Sequence, residues 1–512
     1  MPRWSVVALA GTLAVINGAS RVLTDNQNTY LLHALAHAGH GRLQSDWMAQ
    51  TADLTPVFSK LVEVGYRLIG SPVLYLAQFA VAFIVFGSLL TIVRRHLRAG
   101  ELLVVAAGLA MIVSPPARQL GLLDIAMRGV AGQYVVSTYI QPSDAGVLIV
   151  MAIAVHVSDV RHGSLLAAAA CGAAAVLHPT YIIPGGVVAV AIAADQYRRS
   201  QDAAHSLVPL GLYTLVSAPL ALRLLIDLPL ADEAAMVLVH ARIPHHTRPE
   251  VWFGLDDAAR IGLVTLAVWL YRHDAVGVIV GVTGTLSLSA SVAATALDND
   301  RLLLMFPWRV SVVVVPISAT LLLAWLIRHL SGISALRRLS RATLVASLVA
   351  LIVLMGFSVR RFARSTTGSE PFASVPTGTY LIPPDEEDFR LASGQPVLVD
   401  AKTHPYRGDE LLEWWRRVRA VRAFYDSGGC EPLSRVLERW PDVTHVLLPT
   451  TMPPACVGVR AGGIGSYDIY RVDRGPERQI EPARQCRDAP VGHVSRPANA
   501  PSSSNRSSPL CT

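Results

Sequence analysis

The chain has 512 residues, 52% of them hydrophobic and only 16% charged, with a formal net charge of +7. A soluble domain carries nearer a quarter charged residues, so the composition argues against a water-soluble fold and for a polytopic membrane protein. The basic residues sit in short clusters between apolar runs, a pattern of membrane topology that argues against nucleic-acid binding.

The first apolar run, within MPRWSVVALAGTLAVINGASRVL, has Asn17 and Arg21 where a small-residue cleavage site belongs. It is expected to be an uncleaved span. Further runs of spanning character lie at 72–93, 101–115, 144–158, 163–178, 181–195, 206–226, 258–271, 275–297, 309–327 and 342–358, so about eleven transmembrane helices are predicted over residues 1–358. The pair around HPTY (178–181) reads as a tight hairpin or a re-entrant element. The loops RRHLR (94–98), DVRHG (159–163), QYRRSQ (196–201), RHD (272–274) and RHLSGISALRRLSR (328–341) all fall on one side of such a bundle. Positive loops face the cytoplasm. This predicts a multi-pass protein of the bacterial inner (cytoplasmic) membrane, with a cytoplasmic N-terminus and everything after the last span outside.

The first outer loop, 24–71, contains DLTPVFSKLVEVGYRLIG. Pro56 suits a first helical position behind a cap at Asp53 or Thr55. Val57, Phe58, Leu61, Val62, Leu68 and Ile69 gather on one face, with Ser59, Lys60, Glu63 and Arg67 opposite, so a helix over 55–69 is expected to lie in the membrane interface with Trp47 as anchor.

Residues 359–376 read as a linker and 377–474 as a small extracytoplasmic α/β domain. TYLI (379–382), PVLVDA (396–401), THVLLP and SYDIYRV read as strands. Helices are predicted from Asp409 to Gly428 and from Cys430 to Trp440. Residues 475–512 lack periodicity and are rich in Pro, Ser, Arg and Asn, the composition of a disordered tail. Four of the five cysteines (Cys430, Cys456, Cys486, Cys511) follow the last span, and Cys171 lies within one. A Cys430–Cys456 disulfide suits an oxidising compartment, although spacing alone does not decide pairing.

Polar groups concentrate in three outer loops, 24–53, 243–257 and 297–309. Where such loops meet a membrane surface, a carboxylate can deprotonate an acceptor hydroxyl while an arginine holds a phosphate leaving group. Asp46 and Asp25 are the candidate bases and Arg309 the candidate phosphate ligand. Arg309 could equally be a snorkelling helix-end residue, and Asp46 a helix cap. Tyr30, Trp308 and His178 complete the binding candidates, His178 as an ionisable group at a turn beside the membrane. Asp298 and Asp300, in DND, resemble the DxD with which sugar-nucleotide transferases hold a divalent metal. His33, His37 and His40 share one helical face, a spacing that also suits an interfacial stripe, and no metal ligands are assigned. In the α/β domain, Asp400, Lys402, His404 and Tyr406 follow a strand, where binding sites and structural connections both occur.

Three segments together carry a resemblance: DNQNTYLLHAL with SDW and TPVF; HPT and FPWR; and FR…SGQPVLVDAKTHPY…EWWRRV…VTHVLLP. They resemble an uncharacterised bacterial family of polytopic membrane proteins ending in a small outer α/β domain, over most of residues 20–475. The layout and first loop are also similar to GT-C class membrane glycosyltransferases. That similarity implies a GT-C-like helical domain, a polyprenyl-phosphate-linked sugar as partner, and a catalytic aspartate in the first outer loop beside an interfacial helix. The role would fall on Asp46, or less well on Asp25. The loop lacks the paired acids of better-defined GT-C enzymes. Two other readings stay open: a transporter or flippase of a lipid-linked or small solute, and a non-catalytic anchor for the outer domain. No repeat and no mid-span acidic path favours transport.

Overall fold

The computed structural model describes residues 3–472 apart from 116, 118–120, 159, 228–230, 333–339, 367–371, 373 and 453–455. The sequence-predicted tail, with Cys486 and Cys511, lies outside the described residues.

Each predicted apolar run is helical, because a segment without water must satisfy its backbone internally. The principal helices of this part are α1 (Arg3–Asn17), α2 (Leu32–Ala38), α3 (Pro56–Ile69), α4 (Pro72–Val93), α5 (Ala99–Val113), α6 (Val147–Val157), α7 (Gly163–Leu177), α8 (Ile182–Ser200), α9 (Ala203–Asp227), α10 (Leu255–Tyr271), α11 (Ala275–Ala296), α12 (Ser311–Gly332) and α13 (Ser340–Thr366). Among the described residues, five helical stretches are long and apolar enough to cross a membrane, and four more are apolar but shorter. The protein is therefore a helical membrane protein. The last helix runs on to Thr366, into the predicted linker, because nothing in RRFARST breaks a helix.

HPTY forms the tight hairpin. His178 precedes proline and is extended (φ −147°, ψ 116°), which ends α7, and a single 3₁₀ turn at Pro179–Tyr181 starts α8. Small residues on α7 bring its neighbours close. A side chain at Gly172 would meet Val216 of α9 at 2.7 Å, so glycine there sets the helix spacing.

The basic loops converge at one end of the bundle. Arg95 reaches the Val157 carbonyl at 3.2 Å and Asp274 at 3.9 Å, and Arg328 donates to the His96 carbonyl. Arg198 and Arg199 both hold Asp195, which also pairs with His156 at 3.0 Å.

The predicted interfacial helix is α3, with Pro56 at its first turn. Phe58 and Val62 pack inward, while Val57, Leu61, Val64 and Leu68 form an exposed apolar stripe at helical spacing.

The C-terminal domain holds a four-stranded sheet of order β1-β2-β4-β3: β1 (Tyr380–Leu381), β2 (His445–Pro449), β3 (Val459–Ile464) and β4 (Tyr467–Arg471). Only β1 and β2 run parallel. Alternation sorts β2: Val446 and Leu448 face α14 (Gly408–Ser427) and α15 (Cys430–Arg439), while Leu447 joins Phe389 and Ile469 on the other face. The predicted strand 396–401 is reduced to a bridge between Tyr380 and Val397. β3 escapes sequence reading because VRAGGI has neither alternation nor β-branched content beyond its ends. Cys430 and Cys456 are bonded, with Cα atoms 5.4 Å apart.

Membrane helices and α/β domain belong to one compact unit. The joint is the first loop. The Arg42 N–H bonds the Gly394 carbonyl at 2.7 Å, and Gly41 (φ +54°) lies so close that any side chain on it would run into Gly394. Asp388 accepts from the Asp25 N–H and from Asn28, Glu410 accepts from the Ala52 N–H, and Arg417 stacks 3.9 Å over Trp47.

Candidate functional site

A cavity of about 800 Å³ opens where the first loop, the 132–143 segment, the α7–α8 hairpin, the 238–246 and 304–309 segments and the α/β domain meet. Six predicted residues line it: Tyr30, His178, Arg309, Lys402, His404 and Tyr406. They come from four chain segments that no local pattern connects.

Arg309 is placed by FPWR. Phe306 takes a left-handed conformation (φ 48°), Pro307 begins a 3₁₀ turn, and the buried Trp308 donates its indole N–H to the His246 carbonyl at 3.0 Å. Trp308 itself packs behind the cavity against Trp252, at 5.3 Å between rings. The guanidinium of Arg309 stands 5.0 Å over the Tyr181 ring, and its Nε is buried without a hydrogen-bond partner. Arg309 thus faces a cavity and does not snorkel.

His178 is 2% exposed. Its Nδ1 accepts from the Thr180 N–H, so a neutral ring carries its proton on Nε2, which is buried and without a partner. That leaves an N–H donor at the cavity wall.

Arg242 was not foreseen. It ends a π-helical turn, Val237–Arg242, and donates twice to the Lys402 carbonyl, at 2.7 and 3.2 Å. Neither Arg242 nor Arg309 is in an ion pair among the described residues. A charge within the apolar run VLVHARIP was the available signal. Gln133, buried with both amide atoms unpartnered, and Tyr134 also line the cavity; the segment GQYVVSTY gave no sign of this.

Lys402 is bonded to Asp25 and to Glu387, the latter at 2.7 Å. Burial opposes the charge on Asp25, but hydrogen bonds from Lys402 and Tyr139 outweigh it and hold the carboxyl below its ordinary value. Burial likewise opposes the Lys402 charge, and Asp25 and Glu387 reverse this, so the ammonium stays protonated. Burial depresses His246 to about 4 and His404 to about 3, helped by neighbouring cationic groups. Both imidazoles are neutral near pH 7, so the positive charge lining the cavity comes from Arg242, Arg309, Lys402 and Arg422, of which Lys402 and Arg422 face carboxylates.

The remaining candidates lie elsewhere. The base role expected at Asp46 is corrected: its side chain is fully buried away from the cavity. Its oxygens accept from Arg390 at 2.9 Å, the Val397 N–H at 2.9 Å and the Met48 N–H at 2.8 Å. Asp400 is equally buried; it holds the other arm of Arg390 and caps the Lys402 N–H at 2.8 Å. The Asp46–Arg390–Asp400 triad is a latch between the first loop and the α/β domain. It also explains why 396–401 is a poor strand, since the Val397 N–H goes to a carboxylate. The DND reading is corrected too. Asn299 caps the helical turn Asp300–Leu303, Asp300 pairs with His240 at 3.1 Å, and Asp298 is exposed. His33 bonds the Thr51 carbonyl, and His40 lies beyond the end of α2, bonded to Leu391 and Tyr66.

Residues 374–421, which include most of the latch, match the model of a domain of unknown function, DUF6798. No curated protein matches the chain. Among solved structures the chain is similar to the crystal structure of ArnT from Cupriavidus metallidurans bound to undecaprenyl phosphate. The identity is 12% and the TM-score 0.47, over 93% of this chain and 98% of that one.

Proposed function

We propose that this protein is a GT-C-like membrane glycosyltransferase that moves a sugar from a polyprenyl-phosphate donor to an acceptor hydroxyl on the outer face of a bacterial inner membrane. The observation that carries this reading is that Arg242 and Arg309 face one cavity with no carboxylate paired to either among the described residues. A guanidinium held out of bulk water without a counter-charge is costly, and a phosphate relieves that cost with bidentate, charge-assisted hydrogen bonds. The Nε2–H of His178 adds a third donor. Leu224, Leu238, Ile182 and Ile183, which also line the cavity, suit the first isoprene units of a lipid carrier. The convergence of the basic loops at one end of the bundle supports placing the α/β domain outside.

In this reaction the acceptor oxygen attacks the anomeric carbon as the bond from that carbon to the phosphate oxygen breaks. The phosphate departs with the electron pair and its charge is met by Arg242 and Arg309. The acceptor's proton ends on a carboxylate. Asp25 takes that role in place of Asp46, because Lys402, which lines the cavity, holds it ionised.

The test uses the purified full chain in lipid nanodiscs with radiolabelled polyprenyl-phosphate sugars. Arg309→Ala and Arg242→Ala are expected to lose lipid binding by about tenfold or more each, the scale of a charge-assisted hydrogen bond. Asp25→Asn is expected to bind normally and turn over at least about a hundredfold more slowly. A wild type that neither binds nor consumes any such lipid overturns the reading.

A further inference from the structure

Asp25, the carboxylate assigned as base, does not itself line the cavity, whereas Tyr134 does. Between them stands Tyr139. Its hydroxyl donates to Asp25 Oδ2 at 2.7 Å, and its oxygen lies 3.3 Å from the Tyr134 hydroxyl. A phenol has one proton and two acceptor lone pairs. The Tyr139 proton is committed to Asp25, so Tyr134 must be the donor in the Tyr134–Tyr139 pair. The Tyr134 oxygen accepts from Asn26 Nδ2 at 3.0 Å and keeps one lone pair for a hydroxyl in the cavity. Polarity therefore runs one way along the chain, from cavity to carboxylate.

We propose that Tyr134 and Tyr139 form a two-hydroxyl proton relay that carries the acceptor's proton from the cavity to Asp25. The proposal rests on the transferase reading above. As the new bond from acceptor oxygen to anomeric carbon forms, the acceptor proton passes to the Tyr134 oxygen. The Tyr134 proton passes to Tyr139, and the Tyr139 proton to Asp25 Oδ2. Both tyrosines end neutral, one carboxyl is protonated, and the phosphate leaves with the electron pair of the broken bond. The 3.3 Å gap is wide for two hydroxyls, as catalytic hydrogen bonds often are before substrate binds, and it closes when Tyr134 is engaged. Burial, with Tyr134 and Asp25 as neighbours, pushes the Tyr139 phenol up, so it stays protonated and relays without becoming a base itself. The side chain of Asp25 is 52% exposed, so the proton then leaves to water.

The experiment compares wild type with Tyr134→Phe, Tyr139→Phe and Asp25→Asn, each retaining the shape of the site. In the polyprenyl-phosphate sugar assay, both phenylalanine variants are expected to lower kcat by about 10²–10⁴ while KM and lipid binding stay within about threefold. In mixed H₂O and D₂O, the wild-type rate is expected to depend on deuterium fraction with the curvature of several protons in flight, and Tyr139→Phe without it. Tyr139→Phe at wild-type kcat beside a dead Asp25→Asn would sink the relay and leave the transferase reading standing. An active Asp25→Asn removes both the base and its relay. A second measurement needs no turnover. With 3-fluorotyrosine incorporated, the ¹⁹F signal of Tyr134 should shift on Asp25→Asn in the otherwise native chain and be unmoved by it in the Tyr139→Phe background. A Tyr134 signal indifferent to Asp25→Asn refutes the relay even if no substrate is found.

Discussion

The latch between loop and domain makes the sharpest prediction about stability. Arg390 is 1% exposed and its partners Asp46 and Asp400 are both 0% exposed, so the triad is fully desolvated. Removing one partner from a buried ion pair costs about 3–5 kcal/mol, because the remaining charge is stranded. Arg390→Met strands two carboxylates while keeping most of the volume, so the cost is expected at the upper end of that range. The loss should appear locally, as undocking of the first loop from the α/β domain. The amides of Met48 and Val397, both bonded to Asp46, report it. If they exchange only on undocking, their hydrogen exchange should accelerate by about 10²- to 10⁴-fold, at tenfold per 1.36 kcal/mol. Asp46→Asn with Asp400→Asn in the Arg390→Met background should recover much of the protection, since an amide oxygen still accepts the backbone N–H groups and no charge is stranded. Exchange within threefold of wild type in a folded Arg390→Met protein would refute the claim that this triad docks the domain.

Four further outcomes follow from the same structure. Replacing Cys430 and Cys456 by serine opens a loop of 26 residues and should destabilise the α/β domain by about 3–4 kcal/mol, read as a lowered denaturant midpoint of that domain; an unchanged midpoint would contradict it. A spin label at Leu61 or Leu68, on the exposed apolar stripe of the helix expected to lie in the interface, should be accessible to oxygen and shielded from a polar nickel relaxant; the opposite ratio would mean that the helix faces water. Binding of a phosphate lipid should not strengthen between pH 7.5 and 5, because His246 and His404 gain charge only on falling to about 4 and about 3. Turnover should fall only once the pH drops below the ordinary Asp value of 3.8, since Asp25 is depressed and a base is lost as it protonates; a loss beginning near pH 6 would point to another base.

Much of the site was legible because polar residues stand out against an apolar background. Tyr30, His178 and Arg309 lie between or beside runs that must be helices, and Lys402, His404 and Tyr406 follow a stretch with strand character. Asp46 misled for a definite reason. A carboxylate before a tryptophan in the first outer loop looks available until Arg390, 344 residues further on, is brought against it. DND misled similarly, since a three-residue pattern does not distinguish a metal ligand from a cap on a helical turn. Gln133 and Tyr134 carry no local signature, and Arg242 shows only as a charge within an apolar run; only the meeting of distant segments gives them a common cavity.

The sequence by itself determined that this is a helical membrane protein with a mixed α/β domain after its last helix. Those properties follow from run length, apolar content and alternation, which act over a few turns of chain. Which carboxylate is latched and which is poised, and which arginines go without a carboxylate, was decided only by the tertiary structure. A charge's role depends on what fills the few ångströms around it, and here those neighbours come from the far end of the chain.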